Sequence, residues 1–292
     1  MPQFKKILFP YDASDACAAI APYVRAMAKR HSAELIVLQV LPLYLYPMMA
    51  GDFASMVPTI PVEPEFRKPI EDRLRKFCED QFPGCKTRQL LPDGDPASAI
   101  ESTVKAEGVD LVMMPTQGRG TLRRFLLGSV TAKALHDLDC AVWTAVPAHL
   151  SKGEPSPPYR HILCALRAEP DLEMDLVHCA AALAKDNAAA LTFFHAVETP
   201  TLTWDVDFAP YREQMMVEAQ NRLCQMTVGL GVTNAILVVS AGVPEGIHAA
   251  AVDERADLLL LGRGHAKEGL GRMWSHLYAT IRESPCPVLS MP

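Results

Sequence analysis

The sequence predicts an α/β protein of two tandem Rossmann-like or flavodoxin-like domains, each a five-stranded parallel sheet sandwiched by helices. Three observations predict it. First, blocks recur in the same order in the two halves of the 292-residue chain. FKKILFPYD at 4–12 answers YRHILCALR at 159–167, and AELIVLQV at 33–40 answers AALTFFHA at 189–196. The run ending at Pro115 answers the run ending at Gly262, and HDLDCAVWTAVP at 136–147 answers RESPCPVLSMP at 282–292. Second, short apolar runs alternate with amphipathic segments, the pattern of parallel strands buried on both faces and joined by helices. Third, SKGEPSPP at 151–158 separates the copies and reads as a linker. The expected domains are residues 1–150 and 158–292.

Each element of the first copy has a local reason. KKILFPY is a short β-rich run. CAAIAPYVRAMAKRH keeps Ile20, Val24 and Met27 at the three-to-four spacing of one helix face. AELIVLQVL is a second buried-type strand, and PEFRKPIEDRLRKFCEDQF is helical. CKTRQLLP is the third strand, and ASAIESTVKAEG a helix with Gly108 as its C-cap. VDLVMMP, SVTAKALHDL and CAVWTAV follow as strand, helix and strand. Between the second strand and the next helix, residues 42–69 are rich in Pro, Met and Tyr with no sustained pattern. This segment leaves the ligand-bearing end of a parallel sheet, so a lid or dimer-contact role is expected of it.

Composition narrows the function. Hydrophobic residues make up 49% and charged residues 21%, as in a globular protein with a substantial core. A net charge of −6 argues against a nucleic-acid partner, which would need a basic surface. No stretch approaches a membrane span, and the opening apolar run is too short for a signal peptide. The eight cysteines contain no C-x-x-C pair and mostly sit among apolar neighbours, so they read as reduced core thiols of a cytoplasmic protein. Cys78 with Cys85 is the alternative, as a redox pair. No nucleophile–base arrangement is visible. His265 and His276, eleven apart, lack the spacing of a helical metal site. Glu169, Asp171, Glu173 and Asp175 read as a solvated helix start favoured by the helix dipole.

The stretch with chemical content is PTQGRGTLRRFLLGSV at 115–130. A strand ends, a glycine-rich connection follows, and Gly128–Ser129 opens a helix. Helix N-termini offer unpaired N–H groups and a positive dipole end, and glycine lets an anion approach the backbone. Gly118, Gly128 and Ser129 therefore form a candidate phosphate cradle. An ordinary turn followed by a cap gives the same local pattern. Neither G-K-[ST] nor G-x-G-x-x-G is present.

I-L-x-P-x-D near the start, the A-D-L-x-x-M-like strand and G-R-G-x-L-x-x-x-L-L-G-S-V together resemble the universal stress protein family over nearly the whole chain. The resemblance implies a strand order of 3-2-1-4-5 in each domain, with the last strands mediating pairing within or between chains, and a homodimer. It also implies ATP, or another adenine nucleotide, as ligand. ATP-binding members carry G-x-x-G, nine residues, then G-[S/T]. The first copy matches at Gly118, Gly128 and Ser129 but has Pro115 at the first glycine. By this likeness the site comprises Tyr11, Asp12, Val40, Pro115, Gln117, Gly118, Arg119, Gly128, Ser129 and Val130, with Val40 meeting adenine. Asp12 would accept from the ribose or hold Mg²⁺; as a plain reading it is a helix cap. Arg123 and Arg124 read as a solvated face. In the second copy Arg167 stands for Asp12, GRGH for PTQG, and Ser275–His276 for Gly128–Ser129, which implies a degenerate site. The expected function is nucleotide-dependent stress signalling with slow ATP turnover at most. A nucleotide-free interaction module is the alternative, and a true hydrolase the third reading.

Overall fold

A computed structural model describes residues 4–41, 64–118, 127–150, 159–198, 209–263 and 271–292. The first half runs β1 (Lys6–Pro10), α1 (Asp15–His31), β2 (Glu34–Leu38), α2 (Pro64–Gln81), β3 (Lys86–Leu90), α3 (Pro96–Glu107), β4 (Leu111–Pro115), α4 (Ser129–Asp137) and β5 (Ala141–Ala145). The second half repeats this order as β6 (His161–Ala165), α5 (Pro170–Asn187), β7 (Ala190–Val197), α6 (Ala209–Thr227), β8 (Asn234–Ser240), α7 (Val243–Asp253), β9 (Leu258–Gly262), α8 (Gly271–Glu283) and β10 (Val288–Met291).

The strands form one ten-stranded sheet in the order β3-β2-β1-β4-β5-β10-β9-β6-β7-β8. Each half thus has the expected 3-2-1-4-5 order. Ile7, Leu8 and Phe9 of β1 are fully buried, because both faces of the sheet are covered. Side chains of α1, α2, α5 and α6 join the core on one face. Those of α3, α4, α7 and α8 join the core on the other. Helix boundaries follow local chemistry. The Ser14 hydroxyl caps α1, accepting from the Cys17 N–H at 3.2 Å. Asp95 caps α3, accepting from the Ser98 N–H at 3.0 Å, with Pro96 behind it. Gly108 closes α3 at φ 62°, a left-handed angle that glycine takes without strain.

The halves meet where β5 and β10 pair antiparallel, with Leu289 opposite Trp143. All other strand pairs are parallel. The carboxyl ends of the two sets of strands therefore point in opposite directions, toward the two ends of the strands. The Ser290 hydroxyl donates to the Val142 carbonyl at 3.1 Å across this seam. Arg30 donates to the Asp186 carbonyl at 2.8 Å. Arg263, just past β9, is 4% exposed. Its guanidinium donates to the carbonyls of Leu135, at 2.7 Å, and Cys140. It thus closes the C-terminus of α4 from the other half of the chain.

Some expectations change. Residues 64–69, grouped with the irregular segment, belong to α2, which accommodates Pro69. Residues 42–63 and the linker 151–158 lie outside the described residues. All eight cysteines are free thiols, so Cys78 and Cys85 are not bridged, and Cys224 is exposed rather than in the core. Among the described residues no helix is long and apolar enough to cross a membrane.

Candidate functional site

Strand order reverses at β1, with β2 on one side and β4 on the other. The chain leaves β1 into α1 on one face and leaves β4 toward α4 on the other. The recorded pairing of β1 with β4 covers only Ile7–Leu111 and Leu8–Val112. Beyond it lies the crevice that doubly wound sheets use for ligands.

The turn after β1 forms one wall. Ala13 takes φ 59°, left-handed for a non-glycine residue, and this folds Asp12 back onto the helix start. Asp12 Oδ1 accepts from the Ser14 N–H at 3.0 Å and from the Cys17 thiol at 3.2 Å. Burial, and then the Asp12 carboxylate, push the Cys17 pKa up to about 12, so the thiol remains a donor at neutral pH. The second oxygen of Asp12 faces Gly118, where a Cβ would come within 2.6 Å of it. Tyr11 lies beneath this turn. Its ring stacks on Phe77 at 4.1 Å and it is 8% exposed, so it anchors the wall from the core side. Burial raises its hydroxyl pKa.

The other wall is the end of β4 and the start of α4. The Thr116 N–H donates to Ala145 at 3.0 Å, toward β5. Donors alternate sides along a strand, so Pro115 places its missing N–H toward β1, beyond the end of that ladder. The loss removes no strand bond, but it also withholds an amide from the crevice. The Gly128 N–H donates to the Thr116 carbonyl at 2.8 Å, and the Thr131 hydroxyl donates to the Pro115 carbonyl at 3.1 Å. These two bonds seat α4 directly on the strand end. A Cβ on Gly128 would lie 3.4 Å from the Thr116 carbonyl oxygen, so the approach is close.

Gly128 is the N-cap, with no side-chain cap bond. Ser129, expected as a possible cap, is instead the exposed first residue of the helix. The amides of Ser129 and Val130 have no carbonyl one turn back and carry the positive end of the dipole. Val130 and Val40 are half-buried and pack against the same core. Gln117 is half-buried and Gly118 exposed. The structure thus brings together Tyr11, Asp12, Pro115, Gln117, Gly118, Gly128, Ser129 and Val130, with Val40 at the neighbouring strand end. Arg119, Arg123 and Arg124 lie outside the described residues. Sequence reasoning missed Cys17 and Thr131. Their only signal is position: each follows a capping residue by three.

The second half is built on the same turn and filled differently. Ala168 takes φ 61°, as Ala13 does. Arg167 occupies the place of Asp12. Glu173, 4% exposed, accepts from the Arg167 N–H at 2.9 Å and the Glu169 N–H at 3.1 Å. The Arg167 side chain approaches Glu173 at 3.6 Å. Glu173 is therefore no solvated helix start; it is the turn's internal anion.

Helix register also differs from expectation. Asp137 and Glu283 end their helices three residues before Cys140 and Cys286. Counted from there, Ser275 answers Ser129, and Trp274, not Ser275, answers Gly128. Helix α8 begins at Gly271, so the amide of Ser275 lies inside the helix rather than at its mouth. His276 faces Glu198 at 3.8 Å, and His265 lies outside the described residues.

Two doubly wound units sharing one sheet, with a glycine-lined crevice at the switch point of the first, define a tandem doubly wound α/β protein. Residues 3–145 and 158–292 each match the universal stress protein family. The chain belongs to that family. A universal stress protein of Thermus aquaticus is 29% identical over 145 residues, 48% of this chain and 96% of the relative. One of Methanocaldococcus jannaschii is 26% identical over 139 residues, 48% of this chain and 80% of the relative. Both span about one half of this chain. Among solved structures, a universal stress protein of Archaeoglobus fulgidus aligns with a TM-score of 0.66 at 19% identity, covering 99% of this chain and 97% of that one. A functionally unknown protein of Pseudomonas aeruginosa aligns at 0.65 and 13%, covering 99% and 93%. These two likenesses carry the whole tandem fold.

Proposed function

We propose that the first half binds one adenine nucleotide, ATP, and that occupancy serves stress signalling rather than rapid turnover. The observation that carries this reading is the pairing of Gly118 against the Asp12 carboxylate with the open amides of Ser129 and Val130 across the crevice. A carboxylate accepts from ribose hydroxyls, and helix N-terminal amides donate to phosphate oxygens. In this reading Val40 borders adenine, Gln117 and Gly118 border the ribose, and Arg119 with Ser129 meets the phosphates. Among the described residues no three His, Cys, Asp or Glu side chains converge as a metal group. Mg²⁺ would therefore share Asp12 with the phosphate oxygens of the ligand itself.

The same reading expects slow turnover at most. Asp12 already accepts from Ser14 and Cys17, and no other carboxylate or imidazole among the described site residues named above stands ready to activate a water. The second half is read as degenerate, since Glu173 fills its turn and α8 covers the place of the cradle. Pro115 favours the second reading, a nucleotide-free module, because it withholds one amide from the crevice.

Thermal shift with ATP and Mg²⁺ separates the two. A rise in melting temperature for wild type, absent in Gly128→Glu, supports the nucleotide site. No shift with any adenine nucleotide supports the silent module. Substantial ATP hydrolysis that disappears in Asp12→Ala would instead establish the hydrolase.

A further inference from the structure

Helix α4 carries the amides of Ser129 and Val130, yet it is poorly equipped to hold itself. It has nine residues, fewer than an isolated helix needs in water. Its N-cap, Gly128, makes no side-chain cap bond, and its C-cap, Leu138, is extended, with its N–H donating back to Ala134. Its own half seats the N-terminal end on β4 through Gly128 and Thr131. Further along the helix the second half takes hold. The Tyr278 hydroxyl of α8 donates to the Ala132 carbonyl at 3.3 Å. The Arg263 guanidinium donates to the Leu135 carbonyl at 2.7 Å and to that of Cys140, the residue before β5. Arg263 thereby ties the last turn of α4 to the start of the next strand. It also sets a buried cation at the negative end of the helix dipole. Leu277 and Ile281 of α8 share a core with Ala134 and Leu135 of α4.

These contacts run one way. The second half repeats the first, so each bracing residue has a counterpart. In the helix register counted from Asp137 and Glu283, Tyr278 answers Ala132 itself. Arg263 answers Thr116: its N–H donates to Met291 of β10 as the Thr116 N–H donates to Ala145 of β5. Ala132 has no hydroxyl to return. Thr116 is 2% exposed, and its buried hydroxyl has no hydrogen-bond partner, so it offers α8 nothing. Two positions at which the second copy departs from the first thus carry side chains directed at α4. We propose that the second half is a splint for α4, and that Arg263 and Tyr278 are positioning residues that hold the amides of Ser129 and Val130 where a phosphate can meet them. The consequence for ligand binding rests on the nucleotide reading of the first half; the hold on the helix does not.

The test follows amide hydrogen exchange across Ser129–Asp137 and titration with ATP and Mg²⁺, in the full wild-type chain and in four variants. Arg263→Met and Tyr278→Phe remove the two braces. Tyr278→Phe deletes a single hydroxyl and carries the test where Arg263→Met fails to fold. Both should exchange the α4 amides faster than wild type, by about fivefold or more for Arg263→Met, and should bind ATP more weakly by about the same factor. Arg263→Lys keeps a cation at the helix end and should recover part of the affinity. Glu173→Ala loosens a turn of the second half that makes none of these bonds, and should leave both readouts at the wild-type level. Unchanged exchange in α4 overturns the proposal. So does an ATP affinity that Arg263→Met and Tyr278→Phe leave intact, or that Glu173→Ala lowers as much. A wild type that binds no ATP sinks the nucleotide reading instead, and exchange in α4 alone then decides the splint.

Discussion

Gly118 is a glycine for space, since its backbone angle is ordinary and its Cα faces the Asp12 carboxylate. In Gly118→Ala the new methyl would meet an oxygen at 2.6 Å, and the carboxylate must turn away from Ser14 and Cys17. Titration of ATP against this variant should show affinity lower by about tenfold or more, with stability changed by only about 1 kcal/mol. Cys17 belongs to a larger set. Burial raises the thiols of Cys17, Cys78 and Cys286 from 9.0 to about 12, and those of Cys140 and Cys179 to about 11. A pKa raised on folding means the native state holds its proton more tightly. The stabilisation is complete below pH 9.0 and is lost as pH climbs toward 11 and 12. The unfolding free energy from urea titration should therefore fall above pH 9, by at most on the order of 1 kcal/mol per buried thiol per pH unit. A flat profile there would contradict the burial. Gly118, Gly128 and Asp12 are legible as candidate-site residues because glycine and carboxylate placement leaves a pattern. Cys17 is not, because a lone cysteine in a helix carries no local sign of what its thiol touches.

At the scale of elements, periodicity located the strands and helices, and capping residues located several of their ends. It failed where long-range contacts decide. Glu173 looked like one of four solvated acids, yet it turns inward because the Ala168 turn presents two N–H groups to it. Glu173→Ala removes the acceptor of both N–H groups and should destabilise the protein by about 1 kcal/mol in urea unfolding. It should leave ATP affinity in the first half unchanged. Arg263 gave even less warning, sitting in GRGH where a phosphate-contacting residue would be sought. Its guanidinium closes the C-terminus of α4 instead, and burial lowers its pKa. Arg263→Ala leaves the Leu135 and Cys140 carbonyls short of a charged donor, at a cost of about 2 kcal/mol or more in the same measurement. The early start of α8 was equally hidden, because the helix boundary falls in a run that reads as loop and helix alike.

For the whole molecule, the internal repeat conveyed most of the architecture. Two copies in tandem, each ending in an uncharged apolar strand, predict units that join through those strands, and β5 pairs with β10. The antiparallel seam then sets the carboxyl ends of the two halves at opposite strand ends of one sheet. In the proposed reading, that arrangement separates the candidate site of the first half from the Glu173-filled turn of the second. The nucleotide stoichiometry of the full chain tests this most directly. Isothermal titration with ATP and Mg²⁺ should give one site per chain, lost in Gly128→Glu and retained in Arg167→Ala. Two sites per chain, or binding that survives Gly128→Glu, would contradict the account.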